Sequence, residues 1–114
     1  MSRLMVKSFL KSVINSIVLI TSTVFGLKRL PCYFNGQWVW LFRESWTGIY
    51  SKYEPYVAEA LKDNLTKGSV FFDIGAHFGL WSVFAHELVR DRGAVIACEP
   101  SDAFETLALN LPKR

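Results

Sequence analysis

Two short stretches hold the side chains best placed to do chemistry. Residues 70–82 read VFFDIGAHFGLWS, and residues 94–100 read AVIACEP. In the first, Asp73 follows a run of strand formers, and Gly75 and Gly79 come four positions apart before an apolar helical pattern begins. In the second, another strand-forming run closes on Glu99. A carboxylate at such a position can pair with an ammonium group or accept hydrogen bonds from hydroxyls. Glycines in the turn remove side chains, so that backbone amides and the start of the next helix can approach a ligand closely.

These residues need elements to hold them. Ser69–Ile74 is apolar apart from its Asp, the pattern of a strand buried on both faces of a parallel sheet. Leu80, Trp81, Phe84, Ala85, Leu88 and Val89 recur at helical spacing, and Asp91-Arg92-Gly93 ends that helix. Ala94–Cys98 gives a second strand. Ser101 can cap a further helix with Phe104, Leu107, Ala108 and Leu111 as its stripe, closed by Pro112. Strand, helix, strand, helix is a βαβα unit whose two strands should be parallel neighbours. Ligands in such sheets sit outside the carboxyl ends of the strands, where both Asp73 and Glu99 fall. Glu99 is placed to accept hydrogen bonds from the two hydroxyls of a ribose, so the pair describes a nucleoside-shaped site.

The glycine spacing separates two cofactor classes. A dinucleotide needs GxGxxG, and here His77 and Phe78 occupy the second and third positions after Gly75. S-adenosylmethionine carries an ammonium and a cationic sulfur in place of a pyrophosphate, and an Asp at the strand end suits it. At these residues the chain resembles the class I S-adenosylmethionine-dependent methyltransferases, and among them the FkbM-type family. The matching stretches are Tyr53-Glu54-Pro55, LTKGSVFFDIGAHFGLWS and VIACEPSDAFETLALNL, within residues 50–111, about half of the chain. The family pattern is DIGAN, a variable residue and Gly; this chain has His77 where Asn is usual.

The resemblance implies cofactor-binding residues Asp73, Gly75, Ala76, His77 and Gly79 in the loop at the methionine end, with Glu99 holding the ribose. It implies methyl transfer to oxygen on a small-molecule acceptor such as a sugar or other hydroxyl-bearing metabolite. The family's sheet has seven strands, so an incomplete, Rossmann-like domain is expected, inactive alone. The adenine contact, the acceptor pocket and the catalytic base, which is not identified, would lie beyond Arg114.

Ahead of this unit, Asn35-Gly36 lies between Tyr33-Phe34 and QWVWLF, a two-residue hairpin signal. Glu54-Pro55 opens a helix with Val57, Ala58, Leu61 and Leu65 on one side, running up to Gly68; Glu54 is either a residue starting the helix or a cofactor contact. Four tryptophans between Trp38 and Trp81 are expected in the core. The expected organisation is therefore α/β: an N-terminal helix over residues 1–30, a hairpin and connector over 31–52, and the start of a methyltransferase domain over 53–114.

The first thirty residues contain Arg3, Lys7, Lys11, Lys28 and Arg29 and no acid, whereas the rest has eight basic and ten acidic residues. That mildly acidic remainder has no nucleic-acid footprint. Ser12–Leu27 is uncharged for sixteen residues, six of them Ser, Thr or Asn, short of the roughly 20 apolar residues of a membrane span. As a helix it sets Lys7, Lys11, Asn15, Ser8, Ser12 and Ser16 opposite Phe9, Leu10, Val13 and Ile17. Such a helix either packs its apolar stripe on the domain, lies on a membrane surface, or serves as a signal sequence or short anchor. Cys32 and Cys98 lack metal-ligand spacing, which fits a reduced cytoplasmic chain, and Cys98 in its apolar run is expected in the core. Two competing functions are a noncatalytic chain bound to a membrane or partner, and a nucleotide-binding oxidoreductase.

Overall fold

Asn35 and Gly36 both take positive φ, 44° and 82°, the backbone that a two-residue hairpin turn requires. From that turn β1 (Arg29–Phe34) and β2 (Gln37–Phe42) run antiparallel, with Phe34 opposite Gln37 and Arg29 opposite Phe42. The structure, a computed structural model, describes residues 2–112. Among them the fold is mixed α/β, with four α-helices and two small sheets. The hairpin begins at Arg29, inside the segment expected to be helical, because Leu30 belongs to the core. β3 (Tyr50–Ser51) adds to β1 in parallel, an element too short to leave a periodic signal.

Helix α2 (Pro55–Asn64) starts with proline at its first turn and ends at Leu65, whose extended backbone stops it short of Gly68. Next come β4 (Val70–Ile74), α3 (Leu80–Val89), β5 (Ala94–Cys98) and α4 (Ala103–Asn110). β4 and β5 are parallel neighbours, paired from Val70–Ala94 to Ile74–Cys98, as the βαβα pattern requires. α3 lies between the two sheets, touching β2 on one side and β4 and β5 on the other. This explains why Ser82, Val83, Phe84, Ala85 and Val89 are all buried on one helix. Phe34, Trp81 and Phe84 pack as an aromatic triangle with ring centroids 5.1 to 5.8 Å apart. Cys32, Val39, Leu41 and Ala58 complete that core.

Four expectations fail for one reason: the other side of an apolar element has no cover. β4 is not buried on both faces; Phe71 and Asp73 face α3, while Val70, Phe72 and Ile74 are 56%, 62% and 75% exposed. Cys98 ends β5 on that same bare side and is exposed, whereas Cys32 is buried. Trp46 and Trp81 pack against the core, but Trp38 and Trp40 stand on the outer face of β2. In α4 the inward residues are Leu107 and Asn110, with Leu111 alongside, while Phe104 and Ala108 point to solvent.

The remaining helix, α1 (Arg3–Val24), is capped by Ser2, whose Oγ accepts from the Met5 amide at 3.2 Å. At 1.5 Å per residue it is about 33 Å long, long and apolar enough to cross a membrane by length and composition. The reading in which it packs its apolar stripe on the domain is incorrect. Lys11, Asn15, Val18 and Ser22 recur at spacings of four, three and four, and this side, polar but for Val18, meets the domain. Asn15 Oδ1 accepts from the Ile49 amide at 3.1 Å, Ser22 is buried, and Arg43 reaches Thr23 Oγ1 at 3.4 Å. Phe9, Val13, Ile17, Ile20 and Val24 occupy the opposite side, all exposed.

Candidate functional site

The loops that follow β4 and β5 meet at one residue. Glu99, just past the end of β5, accepts the His77 amide on Oε2 at 2.7 Å and the Ser101 amide on Oε1 at 2.9 Å. The first amide belongs to the glycine loop after β4, the second to the turn into α4. Gly75 and Ala76 also donate to the Cys98 carbonyl, at 2.9 and 3.0 Å, so the glycine loop is fastened to the end of the neighbouring strand. The Ser101 amide, then the Ser101 hydroxyl and the His77 amide, stabilise the charged carboxylate and hold Glu99 below the ordinary glutamate range. Three donors still leave acceptor capacity on this exposed carboxylate, which has about four lone-pair sites, for the hydroxyls of a ligand.

The two glycines do different things. Gly75 has φ +77°, and nothing lies within 4 Å of where a side chain would begin, so its open side can admit a ligand. Gly79 has φ +86° and is buried, and a side chain there would run into Leu107 of α4. It lets the loop pack closely against α4. Between them, Ala76 is buried and His77 is exposed at φ +53°, its ring 4.0 Å from that of Phe78.

Asp73 lies in β4 opposite Ala97, and its Oδ2 accepts from Ser82 Oγ of α3 at 2.5 Å. The bond turns the carboxylate toward the helix and fixes it near the strand end. Glu54 starts α2: its carbonyl accepts the Val57 and Ala58 amides, and its carboxylate accepts from Tyr56 OH at 3.3 Å.

Two residues missed in the sequence support this arrangement. One is Ser82, a lone hydroxyl beside the apolar stripe of α3. The other is Asn110, 1% exposed, a polar residue three positions after Leu107 on the inward side of α4. Asn110 Oδ1 accepts the Phe42 amide at 2.6 Å, and its Nδ2 donates to the Phe78 carbonyl at 2.8 Å and to Ser45 Oγ at 2.9 Å. It thereby ties α4 to the hairpin and to the glycine loop. In both cases the signal was a polar side chain at a core position, which must find partners when buried.

The chemistry available is therefore an ionised acceptor at one strand end, a second carboxylate at the adjacent end, and an unobstructed backbone turn between them. Comparison of the chain with family models, with curated proteins and with solved structures gave no match.

Proposed function

We propose that residues 53–112 form the S-adenosylmethionine-binding part of a methyltransferase of the FkbM type, acting on a hydroxyl of a small-molecule acceptor. The observation that carries this reading is Glu99, charged, at the carboxyl end of β5 and bonded to the open glycine loop after β4. In this role Glu99 accepts the ribose hydroxyls, Asp73 faces the methionine ammonium, and Gly75 keeps the turn clear, with Ala76 and His77 forming the loop between Gly75 and Gly79. Transfer would proceed by in-line attack on the sulfonium methyl, driven by proximity and orientation. The bare β4–β5 face supports a sheet that other elements complete, and the two strands by themselves should bind cofactor weakly.

The test is an NMR titration with S-adenosylhomocysteine and, separately, with NAD. The reading expects amide shifts confined to Gly75, Ala76, His77 and Ser101 on adding S-adenosylhomocysteine. Shifts with NAD alone would replace it with the oxidoreductase reading, and no shifts with either would remove the nucleoside site.

A second reading stands beside the first: the chain associates with a membrane through α1, on the cytoplasmic side. The outward apolar face of α1 favours it. Ile17→Glu with Ile20→Glu, both at exposed positions, should abolish vesicle binding without unfolding the domain; retention on vesicles would refute it.

A further inference from the structure

Beside α1 a groove of about 520 Å³ opens between three elements. Lys11 enters it from α1, Lys52 from the segment after β3 and Lys62 from α2, while Tyr33, Tyr50, Pro55 and Ala58 form apolar wall. Lys62 is held in position: its Nζ donates to the Asn35 carbonyl at 3.0 Å and lies 5.7 Å from the centre of the Phe84 ring. None of the three lysines forms an ion pair among the described residues. Glu59 is the single acid in the lining, so the groove has two positive charges in excess. No acidic residue precedes Glu44 in the chain, which leaves α1, β1 and β2 free of carboxylates that would repel an anion.

We infer that this groove takes the phosphate headgroup of an anionic lipid, an inference that rests on the membrane reading of α1. Lys11 belongs to the stripe that meets the domain, yet Val13 and Ile17 on the outward side are less than two turns away. A bilayer that receives the apolar face therefore brings its headgroups to the level of the groove. Lys11 and Lys52 offer ammonium donors without fixed geometry beside the anchored Lys62, which keeps further N–H groups to donate, and this suits a phosphodiester at varied tilt. Tyr33 and Tyr50, with ring centroids 6.0 Å apart, present the amphipathic rings that settle at headgroup depth. A free phosphate would gain the ammonium contacts only, whereas a lipid also places its glycerol and first methylenes on Tyr50 and Pro55.

The experiment is flotation of the full chain with phosphatidylcholine vesicles, with and without phosphatidylglycerol. Lys52→Gln with Lys62→Gln is compared with Lys67→Gln and Arg92→Gln, a pair that removes the same charge from another surface. Wild type should prefer the anionic vesicles, and the groove pair should lose about 25-fold of that preference, at about fivefold per lysine. The control pair should lose far less. Equal losses in the two variants, or a groove variant that keeps its preference, would overturn the inference. So would equal binding of wild type to both vesicles, which leaves the membrane reading intact, whereas no flotation at all removes both. Groove-residue shifts with inorganic phosphate in a chain that ignores phosphatidylglycerol would assign the groove to a soluble anion instead. Circular dichroism of each variant confirms that fold is retained, and the S-adenosylhomocysteine titration reports separately on the strand-end site.

Discussion

Asn110→Leu keeps the shape of the side chain and deletes all three of its hydrogen bonds. The Phe42 amide and the Phe78 carbonyl then lose their partner, and Ser45 Oγ loses one of two, still donating to the Phe42 carbonyl at 3.1 Å. A buried group left without a partner costs about 1–3 kcal/mol, and a solvated one much less. The Asn110–Ser45 bond is fully buried, and the Phe42 and Phe78 bonds are partly so. Leucine regains some apolar burial at a position 1% exposed. The expected net loss is about 2–4 kcal/mol, a large share of the 5–15 kcal/mol that holds a typical domain. Urea unfolding followed by tryptophan fluorescence measures it. Because Asn110 holds the Phe78 carbonyl, hydrogen exchange at the His77 and Gly79 amides should also accelerate by more than the global change accounts for. A loss below about 0.5 kcal/mol, with loop exchange unchanged, would refute the view that this residue organises the junction of hairpin, loop and α4.

The remaining expectations are local. The folded-state pKa of Glu99 is depressed, so its contribution to stability is complete above the ordinary glutamate value of about 4.3 and is lost as pH falls through its own lower value. The His77 amide resonance should titrate with a midpoint below the ordinary glutamate range, and a midpoint within or above that range would contradict the two-amide arrangement. Gly79→Ala should destabilise more than Gly75→Ala: both need left-handed backbone, at about 1 kcal/mol each, but only Gly79 also meets Leu107. In thermal unfolding, equal effects of the two would count against that packing. Phe72→Gln, on the bare face, should change stability by less than about 0.5 kcal/mol while reducing self-association in ultracentrifugation; a large loss would mean the face is covered in solution.

Element type could be read wherever one period ran without interruption. The α3 stripe, the Asn35-Gly36 turn and the β4–β5 repeat came through because backbone geometry alone produces them. What an element faces is a property of its neighbours, and that was legible only in part. α1 shows the difference: its sequence defines two faces, but the surface beside it offers the Ile49 amide and the tight Gly48 backbone, which Asn15 fits and a branched apolar side chain would not. The polar stripe therefore turns inward, against the usual direction of an amphipathic helix. The site behaved the same way. Spacing placed Asp73 and Glu99 at adjacent strand ends, yet it could not say that Ser82 would engage one and that two backbone amides would engage the other. Those partners give Glu99 a structural duty, joining the two loops, alongside the ligand contact proposed for it. Replacing it by alanine should therefore cost affinity for S-adenosylhomocysteine, about ten- to a hundredfold for one charge-assisted bond, and also free the His77 amide. The two duties separate in one pair of measurements: ligand titration reads the first, and exchange at His77 without ligand reads the second. If loop exchange rises while affinity holds, Glu99 is a clamp and the nucleoside reading loses its main support.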